Sequence, residues 1–173
     1  MFNYCPICKS EKVNTAQLPL IKCPDCHFTY FHNCASAVVA IICCDNQMLF
    51  NVRAQQPALG RLDLPGGFVD YDESLEQALQ REVKEELNLD ISQWQYFTSQ
   101  ANTYEYKNIT YKTTDAFFIS HLEKKPEIVL EKTEVADFMW IDIDKVDISK
   151  IGFESIRKAL SMFIEEYKTT SFE

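Results

Sequence analysis

Five segments of the chain have the alternating or apolar pattern that predicts β-strands. They are residues 37–43, 48–53, 95–99, 109–122 and 137–143. Short runs of this kind, bounded by polar or turn-forming residues, are typical of strands in a mixed α/β domain. Residues 102–107 predict a loop inside that domain.

Two further segments have the spacing of amphipathic helices, in which apolar residues recur every three or four positions. The first follows Asp72 and Ser74, either of which can cap its start. The second closes the chain. The apolar positions are Leu75, Leu79, Val83 and Leu87 in the first helix, and Phe153, Ile156, Ala159, Leu160, Phe163, Ile164 and Tyr167 in the second.

Beside the apolar stripe of the first helix lie Glu82, Glu85 and Glu86. At about 100° per residue, the three carboxylates share roughly a third of the helix circumference. Like charges at these spacings destabilise a helix, and a hard cation such as Mg²⁺ or Mn²⁺ would reverse that effect. The pattern therefore indicates a divalent metal site. The alternative is a solvated acidic face.

Three of the four glycines fall between Gly60 and Gly67, just before this helix. A strand that leads into a Gly66-Gly67 turn and then a helix would leave main-chain carbonyl and N–H groups free. These groups could hold a metal or a substrate phosphate, so Gly67 is a candidate substrate-binding residue.

The spacing across residues 67–89, GFVDYDESLEQALQREVKEELNL, closely resembles the signature of the Nudix hydrolases. That signature is a glycine, five residues, a glutamate, seven residues, then R-E-U-x-E-E-x-G-U, with U aliphatic. One defining position differs, because Asn88 replaces the last glycine. Asparagine tolerates the left-handed conformation of a helix C-cap, so the difference is mild.

The resemblance implies an α/β/α sandwich around a mixed sheet and the hydrolysis of a nucleoside diphosphate linked to another moiety. In that family the metal-bound water attacks a phosphorus of the pyrophosphate. Either Glu82 or a glutamate from a later loop would accept the water proton. The implied Mg²⁺ or Mn²⁺ ligands are Glu82, Glu85, Glu86 and the carbonyl of Gly66, and the residues that orient them are Arg81 and Glu73.

Two C-x-x-C pairs near the start of the chain predict a second metal site. Cys5 and Cys8 form the first pair, and Cys23 and Cys26 the second. Their separation is close to that of a Cys₄ zinc ribbon. Thiols stay reduced in the cytosol, which favours structural Zn²⁺ over disulfides. The alternative is a pair of reduced turns without metal.

The remaining cysteines and nearby histidines carry less weight. Four thiolates already close a tetrahedral zinc site, so we expect His27 and His32 to be exposed rather than ligands. Cys34 has no evident function. Cys43 and Cys44 end an apolar run and are expected in the core.

The order of parts is similar to that of the bacterial NADH pyrophosphatases within this family. It divides the chain into a zinc ribbon at residues 1–33 and a Nudix domain at 34–173. Their additional N-terminal domain is expected to be missing. Their S-Q-P-W-P-F-P-x-S segment keeps only Ser99 and Gln100 here, so the resemblance does not carry a nicotinamide preference with it.

Those enzymes also have a metal-binding glutamate six residues before an aromatic residue that opens the last strand. The aromatic residue here is Trp140, which identifies Glu134. Glu127 and Glu131 are rivals, although each is more typical of a solvated loop charge.

Aromatic residues in the second half of the chain could stack on a base. Tyr104 and Tyr106 are the candidates for substrate binding, because a polar loop would give them little to pack on. Packing is the better interpretation for Phe117 and Phe118, and Tyr111 stays open.

Composition narrows the class of protein. The 173 residues carry 26 acidic against 17 basic side chains, a net charge of −9, which disfavours nucleic acid as a partner. The longest apolar run, residues 35–44, is too short to cross a bilayer, and the first residues have no signal-peptide pattern. We expect a cytoplasmic homodimer acting on a small-molecule nucleotide. The alternative is a non-catalytic module that senses nucleotides, or that binds RNA or protein through the ribbon.

Overall fold

The structure is a computed structural model that describes residues 2–15, 18–107 and 109–170, apart from the side chains of Tyr106 and Thr170. It contains two compact units, Met1–Cys34 and Ala35–Glu173. Neither described helix is long and apolar enough to cross a membrane.

The first unit contains a two-stranded antiparallel sheet of β1 (Leu20–Lys22) and β2 (Thr29–Phe31). The turn that joins these strands contains the second C-x-x-C pair, and the first pair lies near the start of the chain. These short strands are not among the five predicted segments. Three residues are too few to show a periodicity of two.

The second unit contains a mixed sheet and two α-helices, with two short 3₁₀ helices, Ile143–Lys145 and Ile148–Lys150, before the second α-helix. In chain order its elements are β3 (Ala35–Cys44), β4 (Gln47–Arg53), β5 (Leu62–Asp63), β6 (Gly66–Phe68), α1 (Leu75–Leu87), β7 (Gln95–Tyr106), β8 (Ile109–Leu122), β9 (Val135–Asp142) and α2 (Glu154–Thr170). The described strands follow one another as β5, β4, β3, β8 and β7, while β6 pairs with β3 and β9 with β4. The β3/β8 pair is parallel and the other pairs are antiparallel.

Alternate residues of β3 enter two separate hydrophobic cores, one on each face of the sheet. Val38, Ala40 and Ile42 pack in the core that α1 covers. Val39, Ile41 and Cys43 pack in the core that α2 covers. This arrangement confirms the predicted α/β/α sandwich, and both helices bury the apolar stripes that the sequence indicated.

Local signals placed α1 well. Ser74 is its N-cap, accepting from the backbone N–H of Gln77 at 3.2 Å, while the Gln77 side chain accepts from the Ser74 N–H at 2.8 Å. This capping box selects Ser74 over Asp72. Asn88 ends the helix in the left-handed conformation, at φ 55° and ψ 34°, as predicted.

Two local predictions are wrong. Gly66 and Gly67 do not form a turn, because they belong to β6 and pair with Val39 and Val38 of β3. Residues 102–106 are not a loop, because β7 continues to Tyr106, which pairs with Ile109 of β8. In both places backbone pairing with a neighbouring strand outweighs the local preference of glycine and polar residues.

Candidate functional site

Glu86 is the most deeply buried acid of helix α1, with a relative exposure of 9%. Its Oε2 accepts hydrogen bonds from the Asn51 side-chain amide and from the Gly66 backbone N–H, both at 3.1 Å. Burial raises the pKa of Glu86 well above its ordinary value, and the negative charges of Asp63, Glu82 and Glu134 raise it further. A cation bound here would relieve that accumulated negative charge.

Glu82 lies one helical turn before Glu86 and is partly buried. Burial also raises the pKa of Glu82, against the opposing effect of its hydrogen bond with Arg81. The charges of Glu85 and Glu134 raise it as well. Glu134 thus acts electrostatically on both of the buried acids of the helix.

Arg81 holds the acidic residues around it in fixed positions. Its Nε and one terminal nitrogen donate to the two oxygens of Glu73 at 2.8 and 3.0 Å. The other terminal nitrogen donates to Glu82 at 2.8 Å and to Glu85 at 3.1 Å. A last bond, at 3.0 Å, reaches the carbonyl of Phe68. The number of these contacts, five, matches the five N–H groups of a guanidinium, so the donors of Arg81 are fully used.

The segment before β9 brings one of its three glutamates to this region. Its backbone is tied to α1, because the N–H of Glu131 donates to the Glu86 carbonyl at 3.0 Å. It is also tied to the end of β4, because the N–H of Ala54 donates to the Glu134 carbonyl at 2.9 Å. Glu134 lines the cleft beside α1. Glu127 is exposed and is not among the cleft residues, and the Glu131 carboxylate instead accepts from Thr133.

These residues face a cleft of about 490 Å³ in the second unit. Gly66 and Gly67 are among the residues that line it. Its charged lining is mainly acidic, with Arg53 and Arg81 as the cations among the described residues. The lining acids are Asp63, Asp70, Glu82, Glu85, Glu86, Asp115 and Glu134.

Aromatic rings also line the cleft. Tyr104 stacks on Phe153, with centroids 5.8 Å apart and planes inclined by 28°. The guanidinium of Arg53 lies 5.0 Å from the centroid of the Phe153 ring. The edge of Phe68 meets Tyr104 at 5.7 Å. The side chain of Tyr106 lies outside the described residues.

Four further cleft residues are not among those that the sequence predicts for the site: Arg53, Asp63, Phe68 and Phe153. Phe68 follows the glycine pair directly, so its proximity to the site could have been inferred. Phe153 packs against the core that α2 covers, as the apolar stripe predicts, but it precedes the helix and also lines the cleft. Arg53 forms an ion pair with the buried Asp63 at 2.7 Å, a contact between separate strands that no local pattern shows.

The four cysteines of the first unit come together, with all Sγ atoms within 4.8 Å of one another. Cys5 and Cys26 are 3.6 Å apart, as are Cys8 and Cys23. Among the described residues, these four cysteines are the group of potential ligands that lies close enough together to hold a metal ion. The carboxylates of the α1 glutamates lie farther apart than that. Unneutralised carboxylates repel one another.

Both cysteine pairs form the same backbone turn. Lys9 N–H donates to the Cys5 carbonyl at 2.9 Å, and His27 N–H donates to the Cys23 carbonyl at 3.0 Å. Lys9 and His27 have φ values of 60° and 61°. His27 and His32 are exposed, as predicted, and Cys43 and Cys44 are buried.

Comparisons with known proteins agree with this fold. The model of the NUDIX domain matches residues 35–161. A NAD-capped RNA hydrolase NudC from Vibrio atlanticus (strain LGP32) is 27% identical over 154 residues, covering 86% of this chain and 53% of the relative. The NudC of Haemophilus influenzae (strain PittGG) is 30% identical over 144 residues, covering 82% and 52%. The chain thus spans about half the length of these curated relatives.

A solved NUDIX hydrolase from Nitrosomonas europaea superposes with a TM-score of 0.67 at 26% identity, covering 94% of this chain and 90% of that one. The matched domain spans most of the second unit, including the whole of α1 and the cleft. On this evidence the chain belongs to the Nudix family.

Proposed function

We propose that the chain hydrolyses the pyrophosphate bond of a nucleoside diphosphate linked to another moiety, with Mg²⁺ or Mn²⁺ as cofactor. The observation that carries this proposal is the meeting of acids from α1 and from the segment before β9 at one cleft. The negative charge of Glu134 raises the pKa of buried Glu86 and of partly buried Glu82.

The donor set fits a hard divalent cation. Ionised carboxylates offer only acceptor oxygens, and such oxygens are the ligands that Mg²⁺ prefers. The residues that would hold the ion are Glu82, Glu85, Glu86, Glu134 and the Gly66 carbonyl. When bound, the cation would neutralise substrate phosphates and acidify a water molecule.

The other residues of the site would position groups around that chemistry. Arg81 keeps Glu82 and Glu85 in place, and Glu73 keeps Arg81 in place. Glu82 or Glu134 would take the proton of the attacking water. Gly67 would contact the diphosphate through its backbone, and its missing side chain leaves room for the Glu82 carboxylate beside it.

Arg53 is the cation of the cleft that has N–H groups left to bind a phosphate. Its Nε donates to the Pro57 carbonyl and one terminal nitrogen donates to Asp63, both at 2.7 Å. Among the described residues these are the partners of its N–H groups, so donors are left for a ligand. Tyr104, held by Phe153, would stack on the base. Tyr106 stays a candidate from the sequence.

By name these relatives hydrolyse NAD-capped RNA, which suggests for this chain a substrate of the NAD type, and we consider both an RNA capped with NAD and the free nucleotide. Both contain a diphosphate that bridges two nucleosides. The strongly acidic lining and net charge favour the free nucleotide.

We also propose that the first unit binds one structural Zn²⁺ through Cys5, Cys8, Cys23 and Cys26. Four thiolates in a small cluster are the ligand set of a closed tetrahedral zinc site. None of the described cysteines forms a disulfide, which supports the cytoplasm as location. We further propose that the ribbon ends at residue 33 and that the Nudix domain begins at residue 34. We also propose that the chain forms a homodimer, and light scattering would measure its mass.

A substrate panel tests the catalytic proposal. NADH, NAD⁺, ADP-ribose and a NAD-capped RNA are incubated with the full chain and Mg²⁺ or Mn²⁺. In ¹⁸O-labelled water, one labelled oxygen should enter one of the two monophosphate products. Tight nucleotide binding without hydrolysis of any substrate would instead support a sensing module.

A further inference from the structure

A buried amide lies directly behind the helix acids. Asn51 is the fifth residue of β4 and pairs with Asp63 of β5. Only 3% of Asn51 is exposed, and the three residues before it, Met48, Leu49 and Phe50, are fully buried. Its side-chain nitrogen donates to Oε2 of Glu86 at 3.1 Å.

This contact makes the two oxygens of Glu86 unequal. The Gly66 backbone N–H donates to the same Oε2, also at 3.1 Å. Among the described residues, no donor contacts Oε1. Two protein donors therefore fix one oxygen, and the direction of the other follows from the geometry of the carboxylate. Oε1 is left as the oxygen for a ligand.

Asn51 achieves this at a cost to the fold. Its side-chain oxygen, Oδ1, is buried and has no hydrogen-bond partner within the described part of the chain. Asparagine is also unfavourable in strands, and an unsatisfied buried acceptor destabilises the folded state. An apolar residue would avoid both penalties, so packing does not explain the amide.

We propose that Asn51 is a positioning residue that orients Glu86 for binding the catalytic divalent cation. The inference rests on the proposed function, since it assumes that Glu86 is a metal ligand. Residues that hold a ligand in its binding orientation typically change metal affinity when they are removed.

The test measures Mn²⁺ affinity directly, by the electron paramagnetic resonance of free Mn²⁺ in titrations of the zinc-saturated chain. Asn51→Leu keeps the branched shape and the number of side-chain heavy atoms and removes the donor. We expect its dissociation constant to rise by about tenfold or more, with the folded circular dichroism spectrum retained. Asn51→Ala is the second variant, and whichever variant folds decides the question.

Two controls separate the possible failures. Ile41→Val removes one methyl group from the opposite core and should lower the melting temperature without changing Mn²⁺ affinity. Glu86→Gln should weaken Mn²⁺ binding strongly. Suppose that Glu86→Gln weakens Mn²⁺ binding but a folded Asn51 variant has a dissociation constant within about twofold of the parent. The proposed role of Asn51 is then refuted, while the proposed metal site stands. If Glu86→Gln binds Mn²⁺ normally, the proposed metal site itself is wrong.

Discussion

Gly67 lies against the carboxylate of Glu82 so closely that a Cβ at position 67 would come within 2.5 Å of Glu82 Cδ and Oε1. The backbone of Gly67 does not require glycine, since no positive φ occurs there. The neighbouring Gly66 differs, because its φ is +145° and a Cβ would meet the Val38 carbonyl oxygen at 2.1 Å. Gly66 is thus required by the backbone, and Gly67 by the acid beside it.

Gly67→Ala should therefore impair catalysis by displacing Glu82, with little effect on the strand. A displacement of about 1 Å at a reacting group can lower kcat by about 10²-fold. A double-mutant cycle with Glu82→Gln measures the coupling, since residues in contact give non-additive effects. Additive effects on kcat would show that Gly67 does not act through Glu82.

Glu86→Gln should lower kcat by on the order of 10²-fold or more, because it would remove a charged ligand of the proposed metal and keep the shape of the side chain. Substrate KM should change less. Steady-state kinetics at saturating Mg²⁺ decide this, with Glu76→Gln as a control on the first turn of the same helix. Near-parental turnover would place the metal elsewhere.

The site could be predicted from sequence where it depends on one element. Glu82, Glu85 and Glu86 share a face because of helical geometry, and Ser74 and Asn88 fix the ends of α1 through local hydrogen bonds and backbone conformation. The two cysteine turns repeat one local pattern and were predictable for the same reason.

Contacts between distant segments could not be derived in this way. Phe153, which precedes α2, contacts Tyr104 of β7 and Arg53 of β4, and Asn51 reaches Glu86 from a strand that the local pattern marks as core. The extension of β7 to Tyr106 depends on its partner strand β8. Such contacts follow from the fold and not from periodicity.

Arg53→Lys should raise KM by about tenfold, because it replaces a planar, multiply donating group by a point charge and loses a charge-assisted hydrogen bond of about 1.5 kcal/mol. Lysine keeps a positive charge near Asp63, which limits the loss of stability. Arg61→Lys serves as the matched control, since Arg61 binds the backbone carbonyl of Ile151 at 3.2 Å and is not a cleft residue. An unchanged KM alongside a lower kcat would argue against substrate binding by Arg53.

The cysteines of the chain should react with a thiol reagent in a defined order, and chelation of zinc should make the ribbon cysteines reactive. Burial raises the pKa of Cys43 to about 12 and also raises the pKa of Cys44, so both should resist a thiol reagent until the chain unfolds. Exposed Cys34 should react first. The four ribbon cysteines should react only once the chelator has taken up the zinc, so the amount of zinc released should rise before or together with their reaction.

The double variant Cys23→Ser/Cys26→Ser provides an independent check of the ribbon. It should lose zinc and be less stable, because a closed Cys₄ site contributes folding free energy. Elemental analysis of the parent, purified without chelator, should find about one zinc per chain by that ligand count. Absence of zinc in the parent would leave the cysteine cluster without its proposed metal.

Substrate selectivity should follow from Tyr104, whose ring is held in the cleft by Phe153 and Phe68. The chain lacks the proline-framed aromatic segment of the NADH pyrophosphatases, and this ordered tyrosine is on strand β7 in its place. Stacking of a base on an aromatic ring is worth about 1–3 kcal/mol, so Tyr104→Ala should raise KM by roughly fivefold to a hundredfold, whereas Tyr104→Phe should not. One ring stacks on a base of either substrate, so kcat/KM for NADH and ADP-ribose should agree within about tenfold, or about 1.4 kcal/mol. A preference for NADH above about a hundredfold that Tyr104→Ala leaves intact would assign nicotinamide recognition to another segment.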